Sequence, residues 1–160
     1  MTVAVDTNIL LDILLPDPNY KDSSLNLLTR YMKTDQLIIS EVVYSELASQ
    51  FPEEKLLINF LDDTGINLIG SSSSALWIAA TTWKKYIKVS GKALQCNNCG
   101  KEEIFKCSGC YSIITSRQHI ISDFLIAGHA LVKSDKLLTR DRGFYRTYFP
   151  ELITESGTGC

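Results

Sequence analysis

"TVAVDTNILLDIL" (residues 2–14) joins two periodicities at one acid. Residues 2 to 5 are apolar or β-branched without polar alternation, as in a strand covered on both faces. Residues 7 to 14 carry apolar side chains at helical spacing, and Asp6 stands at the junction. The same strand-to-helix passage recurs along the chain. "LIIS" (37–40), "INLIG" (66–70) and "KLLT" (136–139) read as further strands, with "ELIT" (151–154) as a candidate last one. Helical patterning covers 7–14, 21–33, 41–49, 53–62, 74–88 and 122–133. Gly65, Gly70 and Gly143 punctuate the run, and Pro16, Pro18 and Pro52 mark turns or helix entries. The alternation predicts an α/β domain on a mostly parallel sheet.

A chain of 160 residues, 45% hydrophobic and 21% charged, is expected to form one domain with its own core. Its beginning has no basic leader, and Asp6 and Asp12 interrupt the first apolar stretch, which argues against a signal peptide. No stretch approaches the roughly 18 uncharged apolar residues of a membrane span, so the expected location is the cytoplasm. The net charge is −2 but uneven. Residues 1–80 carry four Lys/Arg against eleven Asp/Glu, residues 81–110 six against two, and residues 111–160 six against five. The middle segment is only mildly basic once a tetrathiolate metal is counted, which weakens any reading as a strong nucleic-acid patch.

Four of the five cysteines fall in "QCNNCGKEEIFKCSGCYS" (95–112), as two Cys-x-x-Cys pairs. Cys96, Cys99, Cys107 and Cys110 suit a Zn²⁺ ion, and four protein ligands would leave no open position for chemistry. A disulfide pair, an iron–sulfur cluster or an empty loop are the other readings of the same thiols. The segment interrupts the βα alternation as an insertion, with "EEIFK" (102–106) as a hairpin strand. Cys160 reads as a stray thiol.

The hard ligands lie elsewhere. Asp6 follows the first strand and Asp141 the fourth, and the carboxyl ends of strands are where ligand sites form in open α/β sheets. On "SEVVYSELASQ", Glu46 falls within the apolar stripe and Glu41 on the opposite, solvated side. A buried carboxylate costs several kcal/mol unless paired or metal-bound, so Glu46 is either a metal ligand or one half of an ion pair. Asp123 follows Ser122, a good N-cap, at the start of "DFLIAGHALV"; alone it reads as a helix-start residue favoured by the macrodipole. Four acids near one sheet edge would repel one another without a hard cation, Mg²⁺ or Mn²⁺. Such a pocket activates water and neutralises a phosphoryl group. The residues alone thus point to metal-dependent phosphodiester hydrolysis.

Four blocks, "VAVDTNILLDILL", "ISEVVYSELAS", "ISDFLIAGHAL" and "LLTRDRGFYRTYFPEL", resemble the motifs of the PIN domain, in particular of VapC-like toxin ribonucleases. The similarity spans residues 1–155 apart from the cysteine insertion. It implies a doubly wound sheet of about five parallel strands, with Asp6, Glu46, Asp123 and Asp141 as the acidic quartet. It also implies supporting roles for Asn8 and Thr139, whose plainer readings are a helix N-cap and a strand-end hydroxyl. The implied activity is endonucleolytic cleavage of single-stranded RNA with Mg²⁺ or Mn²⁺, by a homodimer silenced by a cognate antitoxin. Compact VapC-like proteins mostly lack the cysteine insertion, so an RNA-processing PIN nuclease and a non-catalytic zinc-ribbon module binding RNA or protein stay open.

Arg140 and Arg142 flank Asp141 and are candidate RNA-phosphate contacts, with Arg146 nearby. Lys84, Lys85, Lys88, Lys92, Lys101 and Lys106 read as solvated charges. His129 reads as a packed histidine, and His119 is not needed by either metal set. Trp77, Trp83 and Tyr86 lie at helical spacing and read as core or dimer contacts.

Overall fold

The computed structural model describes residues 1–89, 93–96, 98–113 and 120–157, with the side chains of residues 89 and 95 left out. Lys92, His119 and Cys160 lie outside the described residues. The chain runs β1 (Thr2–Val5), α1 (Thr7–Leu14), α2 (Lys21–Met32), β2 (Gln36–Ile39), α3 (Glu41–Ala48), α4 (Glu54–Thr64), β3 (Ile66–Leu68) and α5 (Ser73–Val89). It continues through β4 (Leu94–Gln95), β5 (Glu102–Glu103), α6 (Ile121–Lys133), β6 (Lys136–Leu138), α7 (Arg142–Tyr148) and β7 (Thr154–Glu155).

Five strands form one parallel sheet in the order β3-β2-β1-β6-β7. The chain winds outward from β1 to β2 and β3, then crosses to the other side of β1 for β6 and β7. The reversal places a topological switch point between β1 and β6, where such sheets open a crevice at their carboxyl ends. Val3, Ala4 and Val5 are at most 2% exposed, so helices cover both faces of the central strand. Edge strand β3 ends in exposed Asn67 and Leu68.

Local chemistry sets the element ends. Ser40 caps α3 by accepting the Val43 N–H, and Gly65 closes α4 in the left-handed region at φ 66°. Helix α6 begins at Ile121, with Ile120 rather than Ser122 in the cap position. Asp123 sits in its first turn and takes the Ile120 N–H on Oδ2 at 3.0 Å. Helix α7 falls outside the helical stretches expected from sequence. It is held by tertiary packing: Phe144 lies edge-on to Phe124 of α6 at 5.0 Å between ring centroids, and Tyr86 of α5 meets Phe124 at 5.4 Å. The final strand forms at Thr154–Glu155, the C-terminal end of the expected stretch and one residue past it.

His129 is buried and bonded through Nε2 to the Ile69 carbonyl at 2.8 Å, as a packed histidine. Tyr86 is core, Trp83 half-buried, and Trp77 72% exposed. Among the described residues no helix is long and apolar enough to cross a membrane.

Helices α5 and α6 approach closely at Gly128, where a Cβ would stand 2.5 Å from the Ala75 carbonyl oxygen and 3.1 Å from the Ala79 Cβ. The obstacle is backbone, so one methyl group forces the two helices apart. Gly128→Ala is expected to lower stability by about 1–3 kcal/mol, measured by urea unfolding; an unchanged midpoint would contradict this packing.

Candidate active site

Asp6 ends β1 beside β6, with its N–H on the Leu138 carbonyl at 2.9 Å, and is 5% exposed. Three side chains donate to its Oδ2: Thr139 at 2.6 Å, Asn8 at 2.7 Å and Tyr145 at 3.1 Å. They come from the end of β6, from α1 and from α7, so this one carboxylate ties both halves of the doubly wound sheet. Thr139 is fully buried, and its hydroxyl also accepts the Asp141 N–H at 3.1 Å and Asn8 Nδ2 at 3.2 Å. Asn8 completes the ring by accepting the Arg140 N–H on Oδ1 at 3.1 Å. Asn8 is therefore not a helix cap, since Asp6 occupies that position, and Thr139 is more than a strand-end hydroxyl.

Of the other acids, Asp141 and Asp123 are held by backbone donors at the starts of their own helices, and Glu46 by a hydroxyl from another helix. Asp141 caps α7, taking the Phe144 N–H on Oδ1 at 3.1 Å, and Asp123 takes the Ile120 N–H. Glu46, half-buried on α3, accepts the Thr7 hydroxyl next to Asp6, while Glu41 lies on the exposed side of the same helix. Such donors orient carboxylates as outer-shell groups orient metal ligands.

Burial pushes the Asp6 carboxyl up from an ordinary 3.8 to about 6. Hydrogen bonds from Thr139 and Tyr145 oppose this rise, and the Asp123 charge adds to it. The Tyr145 phenol is raised well above its usual range, first by burial and then by the charges of Asp6, Asp123 and Asp141. Of these acids, Asp6 is the one bonded to the Tyr145 hydroxyl, at 3.1 Å. Among the described residues, however, no three carboxylate, imidazole or thiol groups converge closely enough to enclose an ion.

Arg140 turns inward. Its guanidinium meets the buried Asp12 at 2.9 Å and lies 4.2 Å from the Tyr20 ring centroid, while Asp12 also accepts the Ser24 hydroxyl at 2.6 Å. This pairing ties the Thr139–Asp141 turn to α1 and α2. Arg142 opens α7 and is half-buried, and Arg146 is exposed. Sequence reasoning missed Tyr145, Thr7 and Asp12. The only signal for Tyr145 was its place four residues after Asp141, and Asp12 stood on the buried stripe of α1 as Glu46 does on α3. Of the cysteines, Cys96, Cys99 and Cys110 are exposed and Cys107 is half-buried, all four as free thiols.

The folded protein holds a proton on Asp6 more readily than the unfolded chain does. Its contribution to stability is therefore complete below about pH 3.8 and lost as pH rises through about 6. In metal-free protein, the stability difference between wild type and Asp6→Asn is expected to move in favour of wild type as pH falls from about 7 to about 4. Urea midpoints across that range measure it, and a difference that does not change with pH would contradict the assignment.

No family model and no curated protein matches the sequence. Solved structures do match. One is a chain of VapBC2 from Rickettsia felis bound to a DNA fragment from their promoter: 21% identity, TM-score 0.60, covering 97% of this chain and 98% of that one. Another is a chain of VapBC-1 from nontypeable Haemophilus influenzae: 18% identity, TM-score 0.61, covering 99% of this chain and 100% of that one. At these identities the likeness establishes architecture: the chain has a PIN-like α/β fold, a five-stranded parallel sheet flanked by helices.

Proposed function

We propose that this chain is a divalent-metal-dependent endoribonuclease that cleaves single-stranded RNA, acting as the toxin of a toxin–antitoxin pair. The observation that carries the reading is Asp6, a buried carboxylate at the switch point with Asp123 close enough to raise its pKa further. Burying such a group costs several kcal/mol unless a cation or donors compensate. The four motif blocks that resemble VapC-like ribonucleases support it, as does the architecture shared with chains of two VapBC structures.

The donor set fits Mg²⁺ or Mn²⁺, because Asp6, Glu46, Asp123 and Asp141 offer only carboxylate oxygens and hard divalent ions take oxygen ligands. Bound there, the ion would supply an activated water and neutralise charge on the phosphodiester. The chain's own residues prepare the site. Thr139, Asn8 and Tyr145 hold Asp6 through one oxygen. The Phe144 N–H fixes Asp141, and the Asp12–Arg140 pair holds the turn between them. We assign Arg142 to the RNA phosphates and Arg140 mainly to positioning that turn. The partners proposed are an antitoxin protein and a second copy of the chain, in the cytoplasm.

Asp6→Asn combined with Asp123→Asn is expected to lower Mg²⁺-dependent cleavage of single-stranded RNA by at least about 10²-fold while the protein stays folded. Tyr145→Phe, which removes one donor to Asp6, is expected to cost about 10–100-fold. A wild-type rate in the double variant would overturn the catalytic assignment, and RNA binding without divalent-dependent turnover would favour a non-catalytic binding module.

A further inference from the structure

Among the described residues between α5 and α6, little of what normally holds a fold together is present. Strands β4 and β5 pair over two residues each, and a single bridge joins Lys106 to Ile113. Among the described residues from 93 to 113 no side chain is buried, and Ile104, Phe105, Tyr111 and Ile113 are all exposed. A unit of this size cannot stabilise itself by burying apolar surface, and such units depend on disulfides or a metal. Its cysteines are free thiols.

The two Cys-x-x-Cys turns nevertheless repeat one backbone design. The Cys96 N–H donates to the Lys101 carbonyl, and its own carbonyl accepts the Gly100 N–H, both at 2.8 Å. The Cys107 N–H donates to the Ser112 carbonyl, and its carbonyl accepts the Tyr111 N–H, both at 2.9 Å. In each turn the residue four after the first cysteine takes a left-handed conformation, Gly100 at φ 77° and Tyr111 at φ 60°. Tyr111 is the only described non-glycine residue with positive φ, a conformation that is costly for a bulky side chain. Donors also gather on the sulfurs: the Cys99 and Asn98 N–H groups and the Cys99 thiol on Cys96, the Ser112 hydroxyl and N–H and the Cys107 thiol on Cys110.

We propose that Cys96, Cys99, Cys107 and Cys110 bind one Zn²⁺ as a tetrathiolate that clamps the two matched turns together. The thiols stand as two pairs, one per turn, and no three of them converge on a common point. Each turn offers half of a tetrahedral set, and binding brings the halves together with loss of the thiol protons to solvent. Four thiolates fill the ion, so the site is structural and independent of the nuclease reading.

The test uses the full chain with Cys160→Ser, purified without chelator. The expected result is one zinc per chain by elemental analysis, four thiols that react only after zinc is stripped, and a tetrahedral tetrathiolate spectrum on Co²⁺ replacement. Cys99→Ser and Cys110→Ser, one in each turn, should each lose the zinc and expose Lys101 and Lys106 to trypsin, while the parallel-sheet domain keeps its circular dichroism. Sub-stoichiometric zinc, disulfides within the pairs, iron in place of zinc, or full zinc retention by either variant would overturn the proposal. The readout is metal content, so it stands or falls separately from RNA cleavage.

Discussion

The structure depends on one buried carboxylate. Asp6 sits where the central strand ends and the sheet reverses its winding. A charge there is tolerable only if donors or a cation surround it. Thr139 and Tyr145 reach it across sequence separations of 133 and 139 residues, so its satisfaction requires both halves of the chain to be in place. The same contacts order the β6–α7 turn, because the Thr139 hydroxyl that donates to Asp6 accepts the Asp141 N–H. The hydrogen bonds that join the two halves of the sheet at this edge are therefore the same ones that shape the site.

That coupling explains what the sequence reveals and what it hides. Strands β1, β2, β3 and β6 and six of the helices follow local signals, namely buried apolar runs, the Ser40 cap and the Gly65 stop. Asp6 and Asp141 stand out because each lies just past a strand end, and Glu46 because a helical wheel turns it inward. Helix α7 was not legible: "RGFYRTY" is short and has a glycine at its second position, and it is helical because Phe144 and Tyr148 pack on Phe124 from another helix. The same limit hid Tyr145 and the Asp12–Arg140 pair, whose partners are far away in the chain. Arg140 illustrates the point, since beside Asp141 it reads as a phosphate contact, yet its guanidinium meets a buried acid on α1.

The cysteine hairpin is the counterexample of the opposite kind. Its cysteine spacing was the loudest signal in the sequence, yet none of its described side chains is buried in the core of the sheet domain. Its order comes from repeated backbone turns. The chain thus carries two different donor sets, free thiols on an exposed loop and carboxylates at the sheet edge.

Whether the acidic edge is a divalent-ion site can be seen directly by anomalous scattering from crystals grown with Mn²⁺. The account requires a manganese peak at the β1–β6 crevice, bounded by carboxylate oxygens of Asp6, Asp123 and Asp141, that disappears in Asp6→Asn. Well-ordered crystals in saturating Mn²⁺ with no peak at that crevice, or with one that persists in the variant, would contradict it.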